Sequence, residues 1–326
     1  MPVKYFEKIR RAIDLAPGAE WTIEANPKTL SSYDLLALKD FGVNRLSVGM
    51  QSFSDSELAW LGRNHTAKDA IDLIEAAAKI GMRVSADFMY GWDGCDVKEM
   101  CRQINELPIE HASLYELTIE PGTPFSVSRY HDYHEGEARY HDYQTIQEHL
   151  RLPRYEVSNY GKPCEHNANI WAGEEYIGIG ESAAGRIQLT VNSEQVTDAW
   201  CETRIENNEI ITSPLSDYDR AIEMVMTGLR TMRGVDVAAL PAGVINWDFV
   251  KNNLKFIIAE QPTQLVTPLR PGVHCCQGDS NFEIINCLQA TDPGLRRGDG
   301  CEETRFLKMT DSGLLVLDSL LVDIIK

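Results

Sequence analysis

Between residues 21 and 158, short apolar runs end in polar residues and feed amphipathic stretches in regular alternation. WTIEANP at 21–27 alternates apolar and polar positions, stops at Pro27 and precedes SSYDLLALKDFG. That spacing predicts a strand, a loop and a short helix, which Ser31 or Ser32 caps and Gly42 closes in a left-handed turn. NRLSVGMQSF reads as a second strand, and Ser54 with Glu57 as a capping box. Thr66 and Asp69 open a longer helix in which Ala70, Ile71, Ile74, Ala77 and Ala78 share a face before Gly81. Met82–Tyr90 predicts a third strand, 97–107 a helix, Ala112–Ile119 a fourth strand, 135–150 a helix and Arg154–Ser158 a fifth strand. A further helix spans Val3–Ile13. Strands alternating with helices imply an α/β fold with a parallel sheet.

Composition sets the scale. A chain of 326 residues, 43% hydrophobic, can bury a large domain and a smaller one without disulfide support. The apolar stretch at 314–325 is interrupted by Asp318 and Asp323, so no segment matches a transmembrane helix. The start, MPVKYFEKIRR, lacks the apolar core of a secretory signal, which predicts a cytoplasmic protein. Eight cysteines with no C-x-x-C pair read as packing residues in a reducing compartment. A formal net charge of −18 argues against nucleic acid as a partner. Histidines 131, 134, 141 and 149 sit among charges and tyrosines without the spacing of a metal site.

In a parallel barrel the reactive edge lies at the carboxyl ends of the strands, and here those ends carry Glu24, Gln51, Asp87 and Thr118. Such residues equally serve as caps for the following helices or as partners for loop backbone.

TIEANP, NRLSVGMQSF, LGRNH, DFMYG, SLYELTIEPGTPF, YEVSNY and HNANIW follow one another in an order that resembles the HemW family. That family comprises haem chaperones of the radical S-adenosylmethionine superfamily, related to the oxygen-independent coproporphyrinogen III oxidases. The resemblance runs from about residue 21 to 186 and resumes at PLSDYDRAIEMVMTGLR and MTDSGLLVLDSLL. It implies an incomplete parallel radical-SAM-type barrel over residues 1–190 and a small, mainly helical, winged-helix-like domain over 191–326. Helices at 217–232 and 310–326 belong to the latter. A stretch at 262–302, rich in Pro, Gly, Cys and Gln, resembles nothing in the family and reads as an exposed insertion. Matched position by position, Glu24, Gln51, Arg63, Asp87 and Thr118 are expected around S-adenosylmethionine. Carboxylates accept from an amine or ribose hydroxyls, and an arginine pairs with a carboxylate. His166, Asn167 and Trp171 match the family's H-N-x-x-Y-W signature, with Ile170 in the tyrosine position. The resemblance makes His166 the expected haem-iron ligand, Trp171 a shelf for the macrocycle, and Arg154, Lys162 or Arg186 partners for its propionates.

The departures limit the chemistry. The family carries near its start a C-x-x-x-C-x-x-C run, whose three thiolates hold a [4Fe-4S] cluster, and then a G-G-G-T-P segment; neither occurs in these 326 residues. GWDG at 91–94 and GESAAG at 180–185 also differ from the family pattern. No catalytic residue is assigned. The expected function is haem binding and transfer to a haem-accepting protein, with radical chemistry lost. A coproporphyrinogen oxidase-like enzyme of porphyrin biosynthesis and an inactive, shortened product are the alternatives. A barrel without its opening strands also leaves a sheet edge that a partner or self-association is expected to cover.

Overall fold

A computed structural model describes residues 3–123, 125–126, 137–190, 198–207, 209–252, 256–259 and 306–309. The chain forms two compact units. The first comprises residues 1–154 and 158–164, the second 155–157 and 165–326. The division thus falls at Cys164/Glu165, whereas the sequence reading drew it at 190.

In the first unit, strands β1 (Thr22–Ala25), β2 (Arg45–Gln51), β3 (Arg83–Tyr90), β4 (His111–Glu116) and β5 (Asn159–Gly161) lie side by side in chain order. β1 to β4 are parallel. Helices α1 (Lys4–Ala12), α2 (Ser32–Asp40), α3 (Asp55–Trp60), α4 (Ala67–Lys79), α5 (Val97–Ile104) and α6 (Glu137–His149) complete the unit. The strand-helix alternation is the one the apolar pattern predicts.

Local chemistry sets the helix ends. Ser31 and Asp34 form a reciprocal capping box on α2, and Thr66 and Asp69 another on α4. The Thr66 hydroxyl and backbone N–H, with Lys28 nearby, hold the Asp69 carboxyl down to about 2. Gly42, at φ +105°, makes the left-handed turn after α2 that residues with a Cβ rarely adopt. The expected box at Ser54 and Glu57 is only half formed. Ser54 Oγ accepts from the Glu57 N–H, but the Glu57 carboxylate takes the Ser52 hydroxyl, and Ser52 Oγ accepts the Ser54 N–H at 3.0 Å. The intervening Ser52 offers that carboxylate a closer donor.

Successive strand residues point to opposite faces, and the two faces of this sheet differ in chemistry. Leu46, Val48, Met50, Val84, Ala86, Phe88, Ala112 and Leu114 join Leu35, Leu38, Ile74, Ala77, Cys101 and Ile104 of the helices in one apolar core. The alternate positions carry Thr22 and Glu24, Arg45 and Ser47, Arg83, Ser85 and Asp87, and His111 and Ser113. This polar face is largely buried as well: Arg45, Ser47, Ser85, His111 and Ser113 are all inaccessible. Its groups therefore have to satisfy one another. Ser85 Oγ lies 2.7 Å from His111 Nδ1, and Arg83 pairs with Glu20 at 2.9 Å while donating to the Pro163 carbonyl at 3.2 Å.

The fifth strand differs from expectation. The segment read as a strand, 154–158, is the outer limb of a reversal: Arg154 bridges Tyr160, Glu156 bridges Thr231, and the limb that pairs with β4 is Asn159–Gly161, running antiparallel to it. Asn105, after α5, fastens the chain just beyond α6 by donating to the His149 carbonyl and accepting from the Arg151 N–H. Ser158 joins the reversal to the sheet, its carbonyl accepting from the Leu114 N–H of β4 at 2.8 Å, while Arg154 and Glu156 bridge elsewhere.

In the second unit, α7 (Glu165–Trp171) precedes an antiparallel sheet of β6 (Ala184–Thr190), β7 (Asp198–Glu206) and β8 (Glu209–Pro214). The sequence reading assigns no strands there, because β7 and β8 carry no sustained alternation of apolar and polar positions. Then follow α8 (Asp217–Gly228), β9 (Val235–Asp236), α9 (Trp247–Lys251), β10 (Phe256–Ala259) and β11 (Phe306–Met309). The three last strands form a sheet in the order β10-β11-β9. Ala221, Val225, Leu229, Val235, Val244, Ile245, Val250 and Leu307 pack as their core. Helices beside a small sheet whose last two strands pair antiparallel give a winged-helix-like arrangement. The insertion expected at 262–302 and the helix at 310–326 lie outside the described residues, as do His131 and His134.

Burial beside Arg45 and Arg83 pushes the His111 imidazole from 6.5 down to about 3. A histidine held neutral in the fold contributes stability that is complete above its unfolded pKa and lost as pH falls toward its folded one. Acid denaturation is therefore expected to steepen below about pH 6.5, the ordinary value. His111→Asn, which keeps an acceptor for Ser85, should flatten the stability curve between pH 6.5 and 3, read as denaturant midpoints across that range.

Ala259 pairs with Phe306, so the ends of the segment between β10 and β11 are adjacent. Deleting residues 264–300 leaves 260–263 and 301–305 to join β10 to β11, and the closure entropy of a connection depends only weakly on its length. The expected change in unfolding free energy is within about 0.5 kcal/mol, measured by denaturant titration. Loss of soluble folded protein would show that the segment supplies core.

Candidate functional site

The parallel strands bring the predicted ligand residues to one edge of the first unit. Glu24 lies on β1 opposite Ser47 of β2, Gln51 ends β2, Asp87 lies on β3 opposite Ser113 of β4, and Thr118 follows β4. Arg63 follows α3 and is exposed, as are Glu24 and Thr118; Gln51 and Asp87 are half-buried.

Asp87 is the best embedded of them. Ser47 Oγ lies 3.3 and 3.4 Å from its two carboxylate oxygens, and the Ser113 hydroxyl also donates to it. Burial raises the Asp87 pKa above the usual carboxylate range, opposed by the Ser113 and Ser47 hydrogen bonds and reinforced by Glu24. The row Glu24, Ser47, Asp87, Ser113 therefore crosses four adjacent strands on the polar face, with hydroxyls tuning the carboxylate between them.

Gln51 carries the backbone signal. It is one of four non-glycine residues with positive φ among the described residues, at +68°, and the β2–β3 register shifts between Val48 and Gln51. Such a conformation costs on the order of 1 kcal/mol and persists only where its surroundings impose it. His65, buried after α3, is part of that constraint: its Nε2–H donates to the Met50 carbonyl at 3.3 Å, beside the turn. Gly49 is a second part. A Cβ there would stand 3.1 Å from Gln51 Nε2 and 3.4 Å from Asn26 Oδ1, so the two amides converge over a residue without a side chain. Ser47, Ser113, Gly49, Asn26 and His65 were not singled out from the sequence. The period-2 alternation of β2 and β4 was enough to place both serines on the face of Asp87; the His65 contact depends on where α3 folds back.

The second constellation stands on α7. His166 is exposed near its start, Asn167 is half-buried, and Trp171 ends the helix. Five residues at about 100° each separate His166 from Trp171 by about 140° around the axis, so they face different sides. Ile170, four residues on, shares the His166 side. Trp171 Nε1 is enclosed without a partner, and the Arg230 guanidinium lies 5.5 Å from its ring centroid. These contacts make Trp171 a packing anchor at the end of α7. Of the expected propionate partners, Arg186 is engaged by Glu223 at 2.6 Å and Glu202 at 3.8 Å. Arg154 bonds the Tyr143 hydroxyl, and Lys162 lies 3.8 Å from Glu110.

The described residues do not fit an iron-sulfur cluster. Four cysteines are described, Cys95, Cys101, Cys164 and Cys201, and no three His, Cys, Asp or Glu side chains among the described residues gather as a metal site. Burial pushes the Cys95 and Cys101 thiols up to about 12, the opposite of what a thiolate ligand needs. Cys164 donates to Glu20 at 3.3 Å. No helix among the described residues is long and apolar enough to cross a membrane.

Replacing Gln51 by glycine separates the two demands on this turn. Gln51→Gly is expected to raise stability by about 1 kcal/mol, by relieving the positive φ, while weakening any ligand held by the side chain. Denaturation and S-adenosylmethionine titration of the same variant check both; a fall in stability would mean that the Gln51 side chain holds the turn.

Residues 1–104 match the Radical SAM superfamily. The chain is 38% identical over 239 residues to the haem chaperone HemW of Bacillus subtilis, covering 67% of this chain and 62% of that protein. It is 32% identical over 302 residues to the HemW of Lactococcus lactis, covering 85% and 76%. The coproporphyrinogen III oxidase HemN of Escherichia coli, a radical SAM enzyme, superposes with a TM-score of 0.61 at 15% identity, over 98% of this chain and 72% of that one, which shows a shared fold. The chain spans between about half and three quarters of the length of these relatives, from 51% of a Buchnera aphidicola HemW to 76% of the Lactococcus protein. With identity of this order along most of its length and a Radical SAM match over residues 1–104, this chain belongs to the HemW family of the radical SAM superfamily.

Proposed function

We propose that the protein binds haem through His166 and passes it to a haem-accepting protein. The observation that carries this reading is the exposed imidazole on a helix packed at its far end, in a chain whose relatives are haem chaperones. A neutral imidazole is a common axial ligand, and Ile170 on the same side offers apolar contact to a macrocycle face. Trp171 acts on haem through the helix it anchors, and Asn167 flanks the ligand.

The strand-end row of the first unit supports S-adenosylmethionine as a second ligand. Glu24 and Asp87 suit hydroxyl or amine donors, Gln51 and Thr118 have donors and acceptors, and the exposed Arg63 suits a carboxylate. When bound in a radical SAM site, a [4Fe-4S] cluster supplies the electron that cleaves this cofactor. No thiols gather to supply its ligands among the described residues, and the reading takes S-adenosylmethionine as a ligand that the strand-end row holds. The reading places the protein in the cytoplasm, with the barrel-like part in the first compact unit and the winged-helix-like part in the second. β1 pairs only with β2 among the described strands, and its other edge is where a partner or a further strand adds.

A haem titration read in the Soret region tests the ligand. His166→Ala is expected to remove the imidazole's spectral signature. Trp171→Ala should cost about 1 to 3 kcal/mol of affinity with an unchanged spectrum, on the scale of a lost buried aromatic side chain. His131→Ala serves as the control for adventitious ligation. Unaltered spectrum and affinity in His166→Ala would return that histidine to a structural role and favour an inactive product. Anaerobic treatment with iron and sulfide should yield no stoichiometric cluster; near four irons per chain, with cleavage of S-adenosylmethionine under reducing conditions, would instead establish an oxidase-like enzyme.

A further inference from the structure

α7 has seven residues and no buried side chain. A helix of that length has negligible stability of its own, so its position depends on what its ends touch. Its carboxyl end is built as a Schellman turn. The Glu174 N–H donates to the Asn169 carbonyl at 2.9 Å, the Gly173 N–H to the Ile170 carbonyl at 3.0 Å, and Gly173 sits at φ +78°. The Gly173 carbonyl then accepts from Nη2 of Arg220, which lies on α8.

Arg220 is held on three sides. Its guanidinium carbon stands 3.9 Å from the centroid of the Trp200 ring on β7, and its Nη1 lies 3.4 Å from Glu223 Oε2. The other oxygen of Glu223 takes Nε and Nη2 of Arg186 from β6, at 2.9 and 2.6 Å. The Arg220 side chain is only 12% exposed, and its Nε is buried without a partner. Leaving that donor unsatisfied shows that the other contacts set the guanidinium's position. The fit against Gly173 is tight as well: a Cβ there would come within 2.8 Å of Nη2.

From this arrangement we propose that Arg220 is the positioning residue of the haem-binding helix, clamping the carboxyl end of α7 so that His166 is presented in a fixed orientation. The proposal rests on the reading of His166 as the haem ligand. A guanidinium suits the task for two reasons. Its plane stacks on Trp200 while its edge reaches two acceptors in different directions, and its charge sits where the last carbonyls of a helix carry partial negative charge. An ammonium group offers neither the stacking plane nor the fork. The link from sequence to this role runs through Gly173. Only glycine combines the positive φ of the turn with room for Arg220, so the spacing from His166 to Gly173 sets how far the clamp lies from the ligand.

Two readouts test the proposal separately from haem ligation. In the haem-free protein, hydrogen-deuterium exchange of residues 165–174 should accelerate at least about tenfold in Arg220→Ala and Arg220→Lys, with the β1–β4 sheet unchanged. Arg204→Ala, which removes an exposed arginine of β7, should leave exchange in 165–174 at the wild-type rate. In the haem titration, Arg220→Ala and Arg220→Lys should each lose about 10- to 100-fold in affinity, the range for groups that orient a metal ligand. The loss should disappear when His166→Ala is already present. Should Arg220→Ala not fold, Gly173→Ala displaces the same guanidinium without removing its charge and must accelerate the same amides. Wild-type exchange across 165–174 in the folded Arg220 variants overturns the clamp whatever haem does. Accelerated exchange with haem affinity independent of His166 would keep the clamp as a structural feature and reject its role in haem presentation.

Discussion

The first unit depends on a sheet that buries polar side chains on one face and apolar ones on the other. The apolar face follows ordinary rules, packing Leu46, Val84 and Phe88 under α2, α4 and α5. The polar face cannot, because each buried hydroxyl, imidazole or guanidinium that lacks a partner costs about as much as several buried methylenes return. Its residues therefore come in complementary sets. Arg83 meets Glu20, Ser85 meets His111, and Asp87 takes the hydroxyls of Ser47 and Ser113. Toward the carboxyl edge of the strands this mutual satisfaction runs out. Glu24, Arg63 and Thr118 are exposed there, and Gln51 is held in a conformation it would not adopt alone. A ligand site is what such a face becomes where its polar groups stop serving one another.

Much of this was legible in the residues. The strand and helix order from 21 to 150 follows from apolar periodicity and from the caps at Ser31 and Thr66, which act within a few residues of themselves. Legibility failed where a segment's partners lie far along the chain. Residues 154–158 have the alternation of a strand, but Arg154 and Glu156 bridge Tyr160 and Thr231, so the pattern was real and its assignment to the parallel sheet was not. The strands β6 to β8 were missed for a related reason: β8 is exposed along its length and carries no apolar stripe, so little but its pairing with β7 defines it.

The candidate sites divide in the same way. Glu24, Gln51, Asp87 and Thr118 are legible as a group because parallel topology alone brings strand ends together. Ser47 and Ser113, which tune Asp87, lie within those same strands and follow from side-chain alternation once the pairing register is known. The motif that carries His166 and Trp171 fixes order along the chain and not direction around a helix. Five positions from His166 is the wrong interval for a common face, and the ring's enclosure beside Arg230 agrees with that geometry.

The two sites also differ in how rigidly their elements are held, and this bears on what each can do. The strand-end row is built on a parallel sheet whose every central strand is paired on both sides, so its residues have little freedom to rearrange when a ligand arrives. The histidine stands on a single short helix fixed mainly through its last turn. Binding a cofactor for turnover favours the first kind of support, where geometry must hold within a fraction of an ångström. Carrying a cofactor and giving it up favours the second, since release requires that the bound arrangement be easily lost. The sheet therefore suits a ligand that must be held in fixed geometry, and the short helix one that must be released.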